Sequence, residues 1–335
     1  MKNLKILLST IIISTFLISC NQVKAPITKT GLYFDTVISI TLYDSNASKL
    51  IDECFNIADK YEKQLSKTIP ESDISKINNS FDWVIVSKET YDLVEKTLEY
   101  EELSDGKFSV VCGALVDLWD IPGRSAYIED PNLDTYSNTT VLPSSQEISE
   151  ALKLCGKDKM DLDSNTHSIR INTKGAKLDL GAVAKGYVAD KMKEYLISQG
   201  VTSGIIQLGG NVLTIGKNPT KDNGMYSIGI AKPFSDDGEI ITAVSITDES
   251  VVTSGNYQRY FEYEGNIYHH IIDLTTGYPA DTGLNSVSVV CSSSTEADIM
   301  STILLLSGKE KGAELSDSLN LTDAIFIDDS NNIIN

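Results

Sequence analysis

The chain has 335 residues, with 28 basic and 47 acidic side chains and a formal net charge of −19. A protein this acidic repels phosphate backbones, which argues against a nucleic-acid partner. The composition, 41% hydrophobic and 22% charged, is typical of a soluble folded protein, and three histidines leave little room for a zinc or non-haem iron site.

The first nineteen residues predict a secretory signal peptide. Lys2 and Lys5 precede an apolar run over residues 6–18, which is too short to span a bilayer as a permanent helix. The run ends in Leu-Ile-Ser-Cys20, which resembles the bacterial lipobox, so we expect Cys20 to be lipidated and to become the mature N-terminus. An ordinary signal peptide cut nearby, or a free cysteine, is the alternative.

Residues 20–30 are polar and predict a tether, and residues 31–335 then form the folded domain. The resulting expectation is an extracytoplasmic protein, lipid-anchored to a bacterial membrane. Four more cysteines (54, 112, 155 and 291) are scattered without a Cys-x-x-Cys motif, so metal-ligand spacing is absent. Cys54 and Cys291 lie in apolar patterns, which favours free thiols over disulfides.

Hydrophobic periodicity predicts both element types along the chain. Strands are predicted over 36–43, 81–86, 177–180, 204–208, 226–230, 241–247, 250–263, 267–273 and 286–291. Helices are predicted over 47–65, 88–103, 182–199 and 294–306, with Ser87 capping the second and Gly200 ending the third. Long antiparallel runs mixed with helices, without strict βαβ alternation, indicate an α+β fold.

The first candidate site is the segment Leu178-Asp-Leu-Gly-Ala-Val-Ala-Lys-Gly-Tyr187. A glycine turn between a strand and a helix exposes unsatisfied N–H groups and the positive end of the helix dipole, which suit a phosphate. Lys185 would add a positive charge. The P-loop pattern is absent, and a plain strand–turn–helix junction without a ligand is the alternative.

Asp298 and Thr302 form the second candidate site. Ser293 and Glu296 predict a capping box that sets the helix start, so Asp298 and Thr302, four residues apart, share one helical face. A carboxylate and a hydroxyl are hard oxygen ligands suited to Mg²⁺, but too few to hold it without a substrate phosphate. The alternative is a solvated aspartate beside a threonine bonded to its own helix, and in either case Asp298 is expected outside the core.

His269 and His270 are adjacent in a predicted strand, so they point to opposite faces and cannot both bind one metal. One of them can carry a proton in a cleft, or it can simply hydrogen-bond nearby backbone. Phe108 and Trp119 offer flat faces for an aromatic ring, although core packing is the default for both.

Taken in order, eight blocks of the sequence resemble the successive motifs of the ApbE family. The blocks are Phe34-Asp-Thr-Val-Ile-Ser, Leu65-Ser-Lys-Thr-Ile-Pro-Glu-Ser-Asp-Ile-Ser-Lys-Ile-Asn78, Gly106 to Trp119, Leu178 to Tyr187, Gln207-Leu-Gly-Gly-Asn211, Thr253-Ser-Gly-Asn-Tyr257, His270 to Pro279 and Ala297 to Thr302. The resemblance covers residues 31–321, nearly the whole mature chain, and the lipobox agrees with it.

The resemblance implies a two-part α+β fold related to the T-fold, with antiparallel sheets and packed helices. It also implies a lipoprotein that transfers FMN from FAD onto a threonine hydroxyl of a partner protein, releases AMP and requires Mg²⁺. The implied partners are FAD, an extracytoplasmic flavin-accepting redox protein with a target threonine, and the membrane through the lipid anchor.

The resemblance also implies site residues. The metal would be held by the backbone carbonyl of Ala182 and by Asp298 and Thr302, while Ser301 stands where some members have a second aspartate. The implied FAD contacts are Phe34, Thr68, Phe108, Ser109, Asp179, Lys185 and Ile272. Relatives commonly have methionine at position 34 and an aromatic residue at position 68.

These residues predict that His270 takes the proton of the threonine hydroxyl, that His269 matters less, and that Mg²⁺ neutralises charge on the diphosphate. Two alternatives stay open. A FAD pyrophosphatase would use water in place of threonine and yield FMN and AMP at the same site. A non-catalytic flavin-binding lipoprotein would hold FAD without releasing AMP.

Overall fold

The computed structural model describes residues 25–130, 141–235, 238–319 and 321–334. The predicted signal peptide over 1–19 and the predicted lipidation of Cys20 lie outside them. The predicted tether overlaps them at its end, where residues 27–30 belong to the first strand and pair with its neighbour along their whole length. The first strand of the described residues therefore includes the last four residues of the predicted tether.

Helices and strands follow one another irregularly along the chain. The helices of the described residues are α1 (Ala47–Leu65), α2 (Asp73–Asn78), α3 (Lys88–Leu103), α4 (Gly113–Trp119), α5 (Ile121–Glu129), α6 (Ser145–Leu152), α7 (Ala184–Ser198), α8 (Ser294–Ser307) and α9 (Lys309–Ser318). The strands are β1 (Ile27–Tyr33), β2 (Thr36–Leu42), β3 (Val84–Ile85), β4 (Met160–Asp163), β5 (Ser168–Ile171), β6 (Ser203–Leu208), β7 (Asn211–Gly216), β8 (Tyr226–Ala231), β9 (Ile240–Ile246), β10 (Ser250–Gly255), β11 (Tyr260–Tyr263), β12 (Asn266–His269), β13 (Ile272–Asp273), β14 (Tyr278–Pro279), β15 (Leu284–Cys291), β16 (Asp323–Asp328) and β17 (Ile333–Ile334).

An eight-stranded sheet in the order β1-β2-β6-β7-β10-β15-β16-β17 forms the centre of the fold, and its neighbouring strands are antiparallel. One face packs on α1, α7 and α8, where Leu213 and Val252 join the main hydrophobic core. On the opposite face, Val251 and Val290 pack with Tyr226 and Ile246 of the β8–β9 hairpin. These helices and antiparallel sheets confirm the α+β prediction.

A second hydrophobic cluster forms where α4, α5 and α6 meet β11 and β13. Trp119 is at its centre with 1% of its surface exposed, and its Nε1 donates to Gly277 O at 2.8 Å. Phe108 is likewise buried, in the main core. Both aromatic rings are therefore core residues, which leaves neither face open to a ligand.

Several predicted boundaries differ from the structure, and each difference has a local cause. Residues 81–86 form only the two-residue strand β3, because Asp82 N donates to Ser80 Oγ and makes a turn where the strand was expected. Residues 250–263 divide into β10 and β11, since the Tyr257 ring folds back onto Gly255, where a Cβ would lie 2.5 Å from it. The segment 177–180 belongs to no strand.

The four cysteines in the described residues are free, as predicted, with Cys54 and Cys291 buried. Burial raises the pKa of the Cys54 thiol to about 12, so this thiol is unreactive at neutral pH. Within the described ranges, no helix has the length and apolar character needed to cross a membrane.

The candidate site at the junction of two helices

The glycine turn before α7 is held from both sides by side chains of the first candidate segment. Asp179 Oδ1 accepts from Gly181 N at 2.8 Å, and Lys185 Nζ donates to Gly181 O at 3.1 Å. The helix begins at Ala184, two residues later than predicted, because Leu180 O accepts from both Val183 N and Ala184 N in a preceding turn. The turn therefore has a fixed shape before any ligand binds.

Asp298 of α8 lies beside the first turn of α7, which follows the glycine turn. Its side chain is buried, with 4% of the residue exposed, so the expectation of a residue outside the core was wrong. Oδ2 accepts from Gly186 N at 2.8 Å, while Oδ1 lies 3.9 Å from Lys185 Nζ. Because Gly186 N is one of the free N–H groups at the start of α7, the Asp298 carboxylate caps that helix. The two candidate sites predicted from sequence thus form one site.

Gly186 makes this close approach possible. A Cβ at this position would lie 2.2 Å from Ser294 O and 2.8 Å from Asp298 Cβ, so any larger residue would push α8 away. Glycine within a helix is less favourable than alanine by about 1 kcal/mol. At this position glycine is needed because it allows the close contact between α7 and α8.

The hydroxyls of α8 form a small polar cluster with β10. Ser254 Oγ is 2.8 Å from Ser301 Oγ and 3.0 Å from Thr302 Oγ1. Ser301 also donates to Asp298 O at 3.0 Å, and Thr302 does so at 3.4 Å. Ser301 is fully buried, whereas Thr302 is only partly buried. The predicted ligand Thr302 therefore contacts both its own helix backbone and the neighbouring strand.

Only half of the predicted capping box at the start of α8 is present. Ser293 Oγ accepts from Glu296 N at 3.3 Å, but the Glu296 carboxylate lies 3.7 Å from Cys291 Sγ instead of returning to the helix start. The other N–H groups of the first turn bind Asp190 of α7.

The donor set of this site fits Mg²⁺ bound in part through a substrate. It consists of the Asp298 carboxylate, whose Oδ1 lies 3.9 Å from Lys185 Nζ, the neighbouring hydroxyls and the backbone carbonyls of the turn, all hard oxygen donors. No group of three or more His, Cys, Asp or Glu side chains suited to a metal occurs in the described residues, so a soft or multi-carboxylate site is not formed there.

A buried donor without a partner lies near the hydroxyl cluster. Asn211 is 1% exposed, and its Nδ2 has no hydrogen-bond partner among the described residues. Asn211 pairs with Val252 across β7 and β10, which puts it on the sheet face that α8 covers, diagonal to Ser254. An orphaned amide in this position is suited to donate to a phosphate oxygen or to a water.

Lys67, which was not predicted as a site residue, connects the turn to α4. Its Nζ lies 2.9 Å from Asp179 Oδ2 and 2.9 Å from Asp117 Oδ1. Burial alone would lower the pKa of Lys67, but the two carboxylates outweigh burial and raise the pKa above its ordinary value. Asp179 is thereby held between Lys67 and Gly181 N. Asp117 and Asp179 are far from Lys67 and from each other in the sequence, so no local pattern predicts that they flank this lysine.

Backbone hydrogen bonds bring other predicted contacts to the same place. Asp179 N donates to Val110 O at 2.8 Å, and Leu274 N donates to Lys107 O at 3.1 Å. Lys107 Nζ also donates to Leu306 O at the end of α8, at 2.7 Å. The segments around positions 67, 109 and 179 are therefore joined to one another, and the segment around 107 joins the one around 272 to the C-terminal end of α8.

The predicted FAD contacts differ in accessibility. Phe108, Ser109 and Ile272 are buried, with Ser109 Oγ accepting from Val111 N at 3.1 Å. Thr68 is exposed next to Lys67. Phe34 lies in the left-handed region at the β1–β2 turn, with φ of 54°, and its N donates to Glu62 of α1 at 2.7 Å. Phe34 thus has no hydrogen bond, within the described part of the chain, that ties it to the other predicted contacts.

The two adjacent histidines have different surroundings. His269 is buried, and both of its ring nitrogens are engaged: Nε2 is 2.9 Å from Ala280 O, and Nδ1 accepts from Ile271 N at 3.3 Å. His270 is partly buried, with Nδ1 3.2 Å from Arg259 O. Because a carbonyl can only accept, Nδ1 of His270 carries the proton, and Nε2 retains its lone pair.

Burial lowers the pKa of His270 to about 3, and the nearby His269, Arg259 and, more weakly, Lys185 act in the same direction. The ring is therefore neutral at physiological pH and able to accept a proton, although it is a weak base. Burial also lowers the pKa of His269.

The sequence and the fold were compared with those of known proteins. The family model described as "ApbE family" matches residues 34–326. The FAD:protein FMN transferase of Klebsiella pneumoniae (strain 342) is 35% identical over 299 residues, covering 89% of this chain and 87% of that protein. The FAD:protein FMN transferase of Treponema pallidum (strain Nichols) is 33% identical over 290 residues, covering 83% and 76%.

Solved structures give the same result for the fold. The ApbE protein of Thermotoga maritima superimposes with a TM-score of 0.82 at 28% identity, covering 92% of this chain and 96% of that one. The flavin transferase ApbE of Vibrio cholerae gives a TM-score of 0.74 at 24% identity, over 92% and 95% of the two chains. The likeness extends over nearly the whole described chain.

Proposed function

The chain belongs to the ApbE family and is an FAD:protein FMN transferase, and we propose that it uses Mg²⁺ to move FMN from FAD onto a threonine hydroxyl of an extracytoplasmic partner protein. The observation that carries the proposal is the contact between α7 and α8. It brings the Asp298 carboxylate to Gly186 N and to within 3.9 Å of Lys185 Nζ, in the first turn of α7, which supports a proposed metal site next to a proposed phosphate site.

The residues that would hold Mg²⁺ are Asp298, Thr302 and the backbone carbonyl of Ala182. Ser254 supports the Thr302 hydroxyl and is itself hydrogen-bonded to Ser301. When bound, Mg²⁺ would neutralise charge that develops on the diphosphate of FAD. Gly186 N fixes Asp298 Oδ2, so Oδ1, which lies 3.9 Å from Lys185 Nζ, is the oxygen that would bind a cation.

The chain's own cationic and N–H groups suit the diphosphate. Lys185 lies in the first turn of α7, where its Nζ donates to Gly181 O and lies 3.9 Å from Asp298 Oδ1. Because an ammonium has three N–H donors, Lys185 would have a further donor for a phosphate oxygen. The unpaired Nδ2 of Asn211 provides a neutral donor on the same side of the sheet. Asp179, held by Lys67, keeps the turn in place.

In the transfer step, the threonine Oγ forms a bond to the phosphorus that carries riboflavin, and the anhydride P–O bond breaks to release AMP. The threonine proton passes to Nε2 of His270, whose Nδ1–H is oriented by Arg259 O. The lowered pKa of His270 keeps the ring neutral before the step. His269 has no free nitrogen for this role, since both are bonded to backbone.

Incubation with FAD and Mg²⁺, with and without a flavin-accepting redox protein, tests the activity. The transferase predicts a fluorescent flavin band at the acceptor's position on a denaturing gel, together with AMP. Free FMN and AMP without a labelled band would indicate the pyrophosphatase instead. Retained FAD without AMP would indicate a non-catalytic binding protein.

We also propose that the protein is attached to a membrane through Cys20. An acylated Cys20 would attach the enzyme to the outer surface of a bacterial membrane and place it near membrane-bound redox acceptors, and the sequence Leu-Ile-Ser-Cys20 supports this. Expression of Cys20→Ala beside the wild type, followed by fractionation and palmitate labelling, tests it. Loss of label and release from the membrane are expected. Unchanged membrane association of an unlabelled wild type would contradict it.

A further inference from the structure

Asp190 of α7 binds the first turn of α8 with both carboxylate oxygens. Ser294 N donates to Oδ1 at 2.8 Å, and Thr295 N donates to Oδ2 at 2.9 Å. The hydroxyls of Ser293 and Thr295 donate to Oδ2 at 2.9 and 2.6 Å. A carboxylate that receives two backbone N–H groups and two hydroxyls fixes the position of a helix start far more tightly than one N-cap side chain does.

The arrangement is reciprocal. Asp298 of α8 caps the first turn of α7 through Gly186 N, while Asp190 of α7 caps the first turn of α8. Gly186 and Asp190 are four residues apart on α7, and Ser294 and Asp298 are four residues apart on α8, so each pair lies on one helical face. Each helix thus supplies the negative charge that the other helix dipole favours.

We propose that Asp190 is a positioning residue for the metal site: it sets the distance between Asp298 and the Gly181–Ala182 turn without itself touching metal or substrate. This inference rests on the proposed Mg²⁺-dependent function. Asp190 is tied to the helix that begins just after the turn, and the turn of α8 that it holds leads directly to Asp298. A shift of α8 relative to α7 would change the spacing of the two sets of oxygen donors.

The chain offers a matched control for this inference. Asp73 of α2 accepts at Oδ2 from Ser87 N, Ser87 Oγ and Thr90 Oγ1, at 3.2, 3.0 and 2.7 Å, and so supports the start of α3 from another helix, through the N-cap residue Ser87. Helix α3 carries none of the proposed site residues. Loss of the Asp73 cap should therefore destabilise the protein without changing the metal site.

The experiment compares Asp190→Asn, Asp190→Ala and Asp73→Asn with the wild type. Binding of Mn²⁺, as a probe of the Mg²⁺ site, is followed by electron paramagnetic resonance in the presence of ADP, and Tm is measured on the same samples. Steady-state AMP release from FAD gives kcat and KM and their dependence on Mg²⁺. The amide introduced by Asp190→Asn retains one acceptor oxygen, so this variant folds with part of the cap intact and provides the result if Asp190→Ala is insoluble.

We expect the Kd for Mn²⁺ to rise about tenfold in Asp190→Asn and further in Asp190→Ala. Loss of a group that positions a metal ligand typically weakens metal binding by at least this factor. Asp73→Asn should lower Tm about as much as Asp190→Asn does and leave the Kd for Mn²⁺ within about twofold of the wild type. Equal Kd values in all three variants, or a Kd that rises as much in Asp73→Asn, would overturn the inference. A wild type that binds no Mn²⁺ and releases no AMP would instead refute the proposed function.

Discussion

Asp298 Oδ2 and Gly186 N are 112 residues apart in the chain and 2.8 Å apart in the fold. This one hydrogen bond joins a predicted metal ligand to a helix start that was predicted to bind phosphate. Asp298 is therefore both a candidate ligand and a structural cap, and its substitution affects stability as well as activity.

Asp298→Asn and Asp298→Ala separate these two contributions. The asparagine keeps an acceptor for Gly186 N but removes the charge, so we expect a Tm near that of the wild type and a loss of AMP release of about 100-fold or more. The alanine also leaves a buried N–H unpaired, at a further cost of about 1–3 kcal/mol in the free energy of unfolding. Near wild-type AMP release by Asp298→Asn would contradict the metal assignment.

Lys67 is expected to act on FAD binding through Asp179. Lys67→Met removes the ammonium between Asp179 and Asp117, so Asp179 no longer holds the Gly181 turn firmly, and the KM for FAD should rise about tenfold. Lys177→Met is the matched control, because Lys177 binds Asp117 at 2.7 Å without contacting Asp179. Steady-state kinetics on both variants provide the check, and equal KM values would show that the contact with Asp179 does not matter.

Asn211 and Ser286 test the cost of an unpaired buried donor. Both have a buried side-chain atom without a partner in the described residues, but Asn211 faces α8 whereas Ser286 is on the face toward the β8–β9 hairpin. Asn211→Leu should retain or raise Tm and raise the KM for FAD, since it removes an unsatisfied amide that substrate would use. Ser286→Ala should retain or raise Tm with no change in KM. A KM unaffected by Asn211→Leu would remove Asn211 from the site.

His270→Ala should reduce transfer by about 100-fold or more, because it removes the proposed proton acceptor. His269→Ala should lower Tm through the loss of its two backbone contacts and reduce kcat much less. Rates of flavin transfer and thermal melts on both variants make the comparison. Near wild-type transfer by His270→Ala, together with abolished transfer by His269→Ala, would reverse the assignment.

The lowered pKa of His270 also predicts a dependence of stability on pH. The folded pKa is about 3 and the ordinary value is 6.5, so below pH 6.5 the unfolded chain takes up a proton that the folded protein does not. The free energy of unfolding should therefore fall as the pH drops through this window, and it should fall less in His270→Ala. Melts between about pH 8 and about pH 5 provide the check. Parallel curves for the two proteins would show that His270 titrates normally.

Much of the fold was predictable from local pattern. Helix α1 has the predicted bounds because its apolar residues recur at helical spacing, and α3 begins at Lys88 because Ser87 accepts from Thr90 N. Residues 177–180 were predicted as a strand because polar and apolar residues alternate there, which is typical of a half-buried strand. Their hydrogen bonds, however, run to Val110 and Gly113 in an irregular segment, which periodicity cannot reveal.

The site was only partly predictable for the same reason. The Gly181 turn and the Asp298–Thr302 pair each have a local signature, but their meeting depends on the absence of a side chain at Gly186. Asp190 and Asp179 bind residues that are distant in the sequence, the start of α8 and Lys67 respectively. No local sequence pattern therefore indicates either contact. Helix capping by a residue from another helix is a tertiary contact, whereas the Ser293–Glu296 pattern suggested a local one.

The most direct test of the account measures AMP and protein-bound flavin in the same reaction, with FAD, Mg²⁺ and an acceptor whose threonine is intact or replaced by alanine. We predict that AMP and bound flavin appear in equal amounts, that chelation of Mg²⁺ abolishes both, and that Asp298→Asn does the same. Bound flavin that forms undiminished in the presence of the chelator would contradict the central claim.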